Sequence, residues 1–143
     1  MLSHATCLLL GYLVMFICVG VHYEILGFTT TKLNRIHTSF RLRVALGVLA
    51  AIAAHLIEIG IFSLGWMLLL HFNFGTLSIP NPDVVDISYL SIVTYTSLGY
   101  GDIVPQGSIR LYAGIEVLSG VVLTAWTASF TFFEMHRYWG KPI

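Results

Sequence analysis

Three long apolar runs leave this chain few ways to fold. They cover about residues 5–28, 42–70 and 111–133. The first carries no charge until Glu24, and the second is interrupted only by His55 and Glu58. Each is long enough to cross a hydrocarbon core, which takes about 20 residues of helix. Composition agrees: 57% of the 143 residues are hydrophobic and 10% are charged. A soluble domain is about one quarter charged, so this chain cannot clothe a globule in polar side chains. Disorder would need the opposite balance. Seven basic and seven acidic residues give a net charge of zero, which leaves no basic excess for nucleic acid. Cys7 and Cys18 share one apolar run and form no disulfide framework. Residues 1–6 hold no Lys or Arg, so the first run reads as a span rather than a cleaved leader.

The punctuation between the runs is uneven. Asn73, Gly75, Pro80, Asn81 and Pro82 make residues 71–86 a loop. Asp86 then stands where it can cap a short helix over about residues 87–96. That helix is too short to cross a bilayer, so the reading is a re-entrant segment shielded by protein or water. Six of the seven basic residues lie in the polar stretch 29–43 or in the C-terminal tail, where Arg137, Tyr138, Trp139 and Lys141 form an interfacial anchor. The positive-inside rule places that stretch and the C-terminus in the cytoplasm and the N-terminus outside. Asp83, Asp86 and Asp102 then face outward against the single base Arg110, an excess that concentrates cations.

Between the short helix and the last run stands Thr94-Tyr95-Thr96-Ser97-Leu98-Gly99-Tyr100-Gly101-Asp102. It resembles the selectivity-filter signature of the potassium-channel pore-domain family, the two-transmembrane pore-loop type, here with an extra N-terminal span. The resemblance covers about residues 87–133 and includes Pro105 and Gly120. It implies that the carbonyls of Ser97, Leu98, Gly99 and Tyr100 bind K+ in place of shed water, with the Ser97 hydroxyl as innermost ligand. It also implies that Thr96 and Asp102 support the filter and that the Tyr100 ring braces it against neighbouring helices. Carbonyls that point inward on successive residues require alternating left- and right-handed dihedrals, which Gly99 and Gly101 tolerate. Two residues depart from the family pattern: Ser97 replaces Thr, which loosens the innermost site, and Leu98 replaces Val, which changes packing. Gly-Tyr-Gly rather than Gly-Asp-Gly favours potassium. One loop cannot surround an ion, so the resemblance implies a homotetramer. The fold class expected is an all-α membrane protein of three transmembrane helices with a re-entrant pore helix. Residues 1–41 form the added span and cytoplasmic loop, and residues 42–143 the pore domain.

Ionisable groups inside spans are functional candidates. His55 and Glu58 are three apart and share a helical face with Gly47, Ala51 and Ala54. Glu116 lies four residues before Gly120. We expect His55 and Glu58 to face Glu116 across a helix interface, as a packing cluster or as a proton sensor. Gly120 is a candidate hinge of the inner helix. Val121, Thr124 and Ala128 recur at spacings of three and four and are expected to line a cavity below the filter, with Phe132 narrowing its inner mouth. Neither earlier span repeats Arg at the spacing of a voltage sensor. Gating is therefore expected from the pore, protons, lipid, tension or a separate regulatory partner, or the channel is a leak.

The expected activity is passive potassium conduction in the plasma membrane, with K+ as permeant ion, no cofactor, no catalysis and no nucleic acid. The alternatives are a weakly selective cation channel, a non-conducting regulatory subunit and an intramembrane metalloenzyme built on His55 and Glu58.

Overall fold

The computed structural model describes residues 2–35 and 39–139. Three helices carry the apolar runs: α1 (Leu2–Arg35), α2 (Phe40–His71) and α4 (Arg110–Trp139). All three are long and apolar enough to cross a membrane. They extend beyond the apolar runs, because the Thr and basic residues that follow those runs are compatible with helix. The stretch expected as a polar loop is helical as far as Arg35. Lys141 of the expected anchor lies outside the described residues.

The short helix α3 (Val84–Tyr95) sits between α2 and α4. Asp83, not Asp86, is its N-cap. The Asp83 carboxylate accepts from the Asp86 N–H at 2.8 Å, and the Asp86 carboxylate accepts from the Asp83 N–H at 3.0 Å. Two acids three apart thus close a capping box, and the helix starts three residues earlier than a cap at Asp86 would set it. Ile87, Leu90, Ser91, Val93 and Tyr95 are its buried residues.

A two-stranded ribbon lies outside the all-helical expectation. Strand β1 (Gly75–Leu77) pairs antiparallel with β2 (Pro105–Gly107), with Gly75 opposite Gly107. A side chain at Gly75 would strike the Gln106 carbonyl and come within 2.8 Å of Ile109 Cγ1, so the strands meet only because the residue is glycine. The ribbon ties the loop before α3 to the loop before α4 and so closes a frame around α3 and the segment that follows it.

The core runs along the bundle axis. Phe62, Trp66 and Leu69 of α2 meet Tyr112 and Leu123 of α4, with α1 contributing Cys7, Val14 and Cys18. The Trp66 and Tyr112 rings meet edge to face at 5.0 Å, a favoured aromatic geometry. The Tyr112 hydroxyl donates to the Phe62 carbonyl at 2.9 Å, over Gly65, where any Cβ would strike that ring. The first helix is therefore packed into the same core as the others. The outer surfaces of α2 and α4 remain apolar and exposed, as Leu56, Leu64, Leu118 and Val122 show.

Candidate functional site

Helix α3 ends at Tyr95, and the chain turns at once into the Gly-Tyr-Gly segment. The turn is built from backbone bonds onto the last helical carbonyls. Thr96 N–H reaches Ile92 O at 3.1 Å, Ser97 N–H reaches Thr94 O at 2.9 Å and Gly99 N–H reaches Val93 O at 3.0 Å. The Thr96 hydroxyl adds a bond to Ile92 O at 2.7 Å. These bonds satisfy the orphan carbonyls of the helix end and fix where the segment begins.

From Ser97 to Gly101, φ is positive at every second residue: +56° at Ser97, +52° at Gly99 and +79° at Gly101. Leu98 and Tyr100 stay on the negative side. The handedness expected at the two glycines is present, and it extends to Ser97. A serine there accepts left-handed strain of about 1–2 kcal/mol. Gly99 and Gly101 have open space around the position of a Cβ, so their requirement is backbone conformation, not room.

Asp102 is held on both sides. Its Oδ2 accepts from the Tyr89 hydroxyl at 2.8 Å, and its Oδ1 accepts from the Ile103 N–H at 3.1 Å. The Asp102 carboxylate beside Tyr89 pushes the Tyr89 hydroxyl above its ordinary value, because the bond needs the phenol proton. The Tyr100 ring does not brace the segment within this chain: it is 68% exposed, and Leu98 is 55% exposed. The loop stands exposed on the surface of the described residues.

Below it lies an open cleft of 330 Å³ lined by Tyr95, Thr96, Ser97, Gly120, Val121, Thr124, Ala125 and Ala128. Val121, Thr124 and Ala128, the three residues of α4 expected to line a cavity, are thus brought under the loop. Phe132 lies a further turn along, exposed and stacked on His136 at 5.9 Å. Gly120 is not a break in α4, which runs unbroken through it. A Cβ there would collide with the Tyr95 carbonyl oxygen and lie 2.8 Å from its carbon. Close approach to the end of α3 gives the glycine a structural reason.

The ionisable residues do not form the single cluster expected. Glu116 accepts from Trp66 Nε1–H at 2.7 Å and bonds the Ser91 hydroxyl. Glu58 is bonded instead by His22, His55 and Tyr95. The reason is the register of two antiparallel helices. Trp66 lies eleven residues beyond His55, and Glu116 lies eleven before Thr127. His55 is therefore level with Thr127, and Glu116 is about 16 Å further along α4 at 1.5 Å per residue.

Three members of the Glu58 network were not among the candidate site residues. His22 Nδ1 lies 2.8 Å from Glu58 Oε1, and both side chains are fully buried. Thr127 Oγ1 lies 2.9 Å from His55 Nε2 and 3.3 Å from His22 Nε2. The Tyr95 hydroxyl donates to Glu58 Oε2 and lies 3.0 Å from His55 Nδ1. A signal for His22 existed: it continues the row Cys7, Gly11, Val14 and Cys18 at spacings of three and four, all buried. The Trp126 ring packs on His22 at 5.3 Å. The nitrogen and oxygen atoms of His22, His55 and Glu58 lie within 4.8 Å of one another. Each is also engaged in a hydrogen bond within the group, so the arrangement is a bonded network.

Comparison with known proteins agrees with this geometry. A family model described as "Ion channel" matches residues 44–135, which takes in α2, the ribbon, α3, the glycine segment and most of α4. No curated protein and no solved structure matches the chain significantly. With the match covering well over half of the sequence, the chain belongs to the ion channel family.

Proposed function

We propose that four copies of this chain assemble into a potassium-selective pore that conducts K+ passively across the plasma membrane. The observation that carries the reading is the alternating handedness from Ser97 to Gly101 on a Gly-Tyr-Gly segment at the C-terminal end of α3. Alternation turns successive carbonyls to one side, and that side is uncovered in a single chain. Ser97, Leu98, Gly99 and Tyr100 supply the carbonyls, and four such loops replace the water that the ion sheds. The negative end of the α3 dipole, at Thr96, faces the cleft below and favours a cation there. Val121, Thr124 and Ala128 line that cavity, and Phe132 is the candidate constriction at its inner end.

The exposed Leu98 and Tyr100 side chains support assembly, since each would find cover against a neighbouring copy. The remaining apolar surfaces of α1, α2 and α4 face lipid or other copies. Lys32, Arg35, Arg41 and Arg43 lie at the end of the bundle shared with the α4 C-terminus, which supports a cytoplasmic location for that end.

The mass of the solubilised protein and its ion flux in liposomes test the proposal together. Four copies per particle and K+ flux far above Na+ flux are expected. A particle of another stoichiometry contradicts the pore. Equal flux of the two ions supports instead a weakly selective channel, for which Ser97 in place of Thr is the structural reason. A tetramer without flux supports a regulatory subunit.

A further inference from the structure

The network behind the glycine segment can be counted in protons. With Glu58 ionised and both imidazoles neutral, four protons are available: one on each ring, one on Thr127 and one on Tyr95. The Tyr95 proton goes to Glu58. If both rings direct Nδ1–H to Glu58, both Nε2 atoms are bare lone pairs facing Thr127 Oγ1. One hydroxyl proton serves only one of them. If either ring takes the other tautomer, the empty contact moves to Glu58. In every arrangement one contact lacks its proton. A fifth proton fills it, and the same proton brings the network from a charge of minus one to zero. Inside an apolar bundle, the neutral and fully bonded form is favoured.

We propose that His22, His55, Glu58, Tyr95 and Thr127 form a binding site for one exchangeable proton, and that its loading holds the pore in its conducting form. The second half of this rests on the channel reading above. Two side chains give the site a mechanical output. Tyr95 is the last residue of α3, and its backbone abuts Gly120 at the base of the filter segment. Thr127 belongs to α4, the helix that lines the cleft. Losing the fifth proton leaves a buried negative charge beside Tyr95 and a repulsive contact between Thr127 and one imidazole. Both consequences loosen α4 and the end of α3 from α1 and α2, so conduction falls as pH rises.

The site's surroundings offer no competing charge that neutralises Glu58. Helix α1 contributes Cys18, whose thiol lies 3.9 Å from the Glu58 backbone carbonyl, and His22. Helix α2 contributes His55 and Glu58, α3 contributes Tyr95, and α4 contributes Thr127 with Glu116 and Tyr112 further along. The ion-pair partners of Glu58 among the described residues are the two histidines. A divalent ion would have to break the bonds that a proton completes.

The test uses purified protein in liposomes, with K+ flux and histidine 15N NMR spectra followed from about pH 5 to about pH 10, a range spanning the ordinary histidine and tyrosine values. The wild type is expected to lose flux with rising pH as one imidazole signal, absent in His22→Gln, changes protonation. Thr127→Val removes the hydroxyl that requires the fifth proton and is expected to move the midpoint to lower pH. Thr127→Ser keeps the hydroxyl and the wild-type midpoint. Equal midpoints in the two variants overturn the proposal. So does a flux independent of pH, or a pH response abolished by EDTA in a protein that carries bound metal. A proton signature without flux at any pH would instead overturn the channel reading and leave the proton site standing.

Discussion

Glu58 and Glu116 are both buried carboxyl groups held by hydrogen bonds from their neighbours. Glu116 meets one indole N–H and one hydroxyl. A glutamine there keeps an acceptor for Trp66 and a donor for Ser91, so Glu116→Gln should leave the thermal stability of the assembly nearly unchanged. Glu58 is an acceptor toward three neighbours, and Glu58→Leu leaves the two imidazoles and the Tyr95 hydroxyl without that acceptor. It should cost about 1–3 kcal/mol, the penalty of an unmade buried bond, read from the same melting experiment. Gly120 gives a third residue-scale prediction. Gly120→Ala drives a Cβ into the Tyr95 carbonyl and should destabilise by about 1–3 kcal/mol. Gly114→Ala on the same helix meets nothing within 4 Å and should be neutral or stabilising, by up to about 1 kcal/mol. Equal melting of the two alanine variants would contradict the close approach. These residues also mark where sequence reasoning reaches its limit. The pairing of His55 and Glu58 was legible from their spacing of three. Their partners depend on the register between helices, which no local pattern encodes, and an offset of three turns sent Glu116 to Trp66 instead.

At the scale of elements, the three spans and the short helix were legible because apolar length alone specifies them. The ribbon was not, since three residues per strand leave no alternation to read and Gly75 and Gly107 read as loop. The start of α3 was misplaced by one turn because two acids three apart exchange bonds, and either could have been the cap. Asp83→Ala should therefore cost about 1 kcal/mol as a lost N-cap, visible as a lower melting temperature. The bond from Tyr89 to Asp102 tests the far end of the same frame. It raises the Tyr89 value above the ordinary 10.0, so the folded protein favours the protonated phenol. Its stabilisation is fully present below that ordinary value and is lost as pH rises through the raised one. The stability gap between wild type and Tyr89→Phe should stay constant from neutral to about pH 9 and close at more alkaline pH. A gap that closes below neutrality would contradict the assignment.

The whole molecule joins a loop of alternating handedness to a bundle that supports it from behind. The loop is exposed in one chain, while the side chains that hold its base are among the most buried in the fold: Tyr95 is 2% exposed, and Glu58 and His22 are 0% exposed. Burial is thus concentrated at the base of the loop, and exposure at the glycine segment itself. The extra helix α1 belongs to this support, because it supplies His22, although it lies outside the matched residues 44–135. The central claim is that the Gly-Tyr-Gly segment selects potassium, and the reversal potential of the reconstituted protein tests it most directly. With K+ on one side of the membrane and an equal concentration of Na+ on the other, the account predicts a reversal potential strongly displaced in the direction of K+ selectivity. Gly99→Ala, which forces a Cβ onto a backbone at φ +52° with no steric contact to blame, should abolish that displacement or the current itself. A wild-type reversal potential near zero, or a selectivity untouched by Gly99→Ala, would contradict the account.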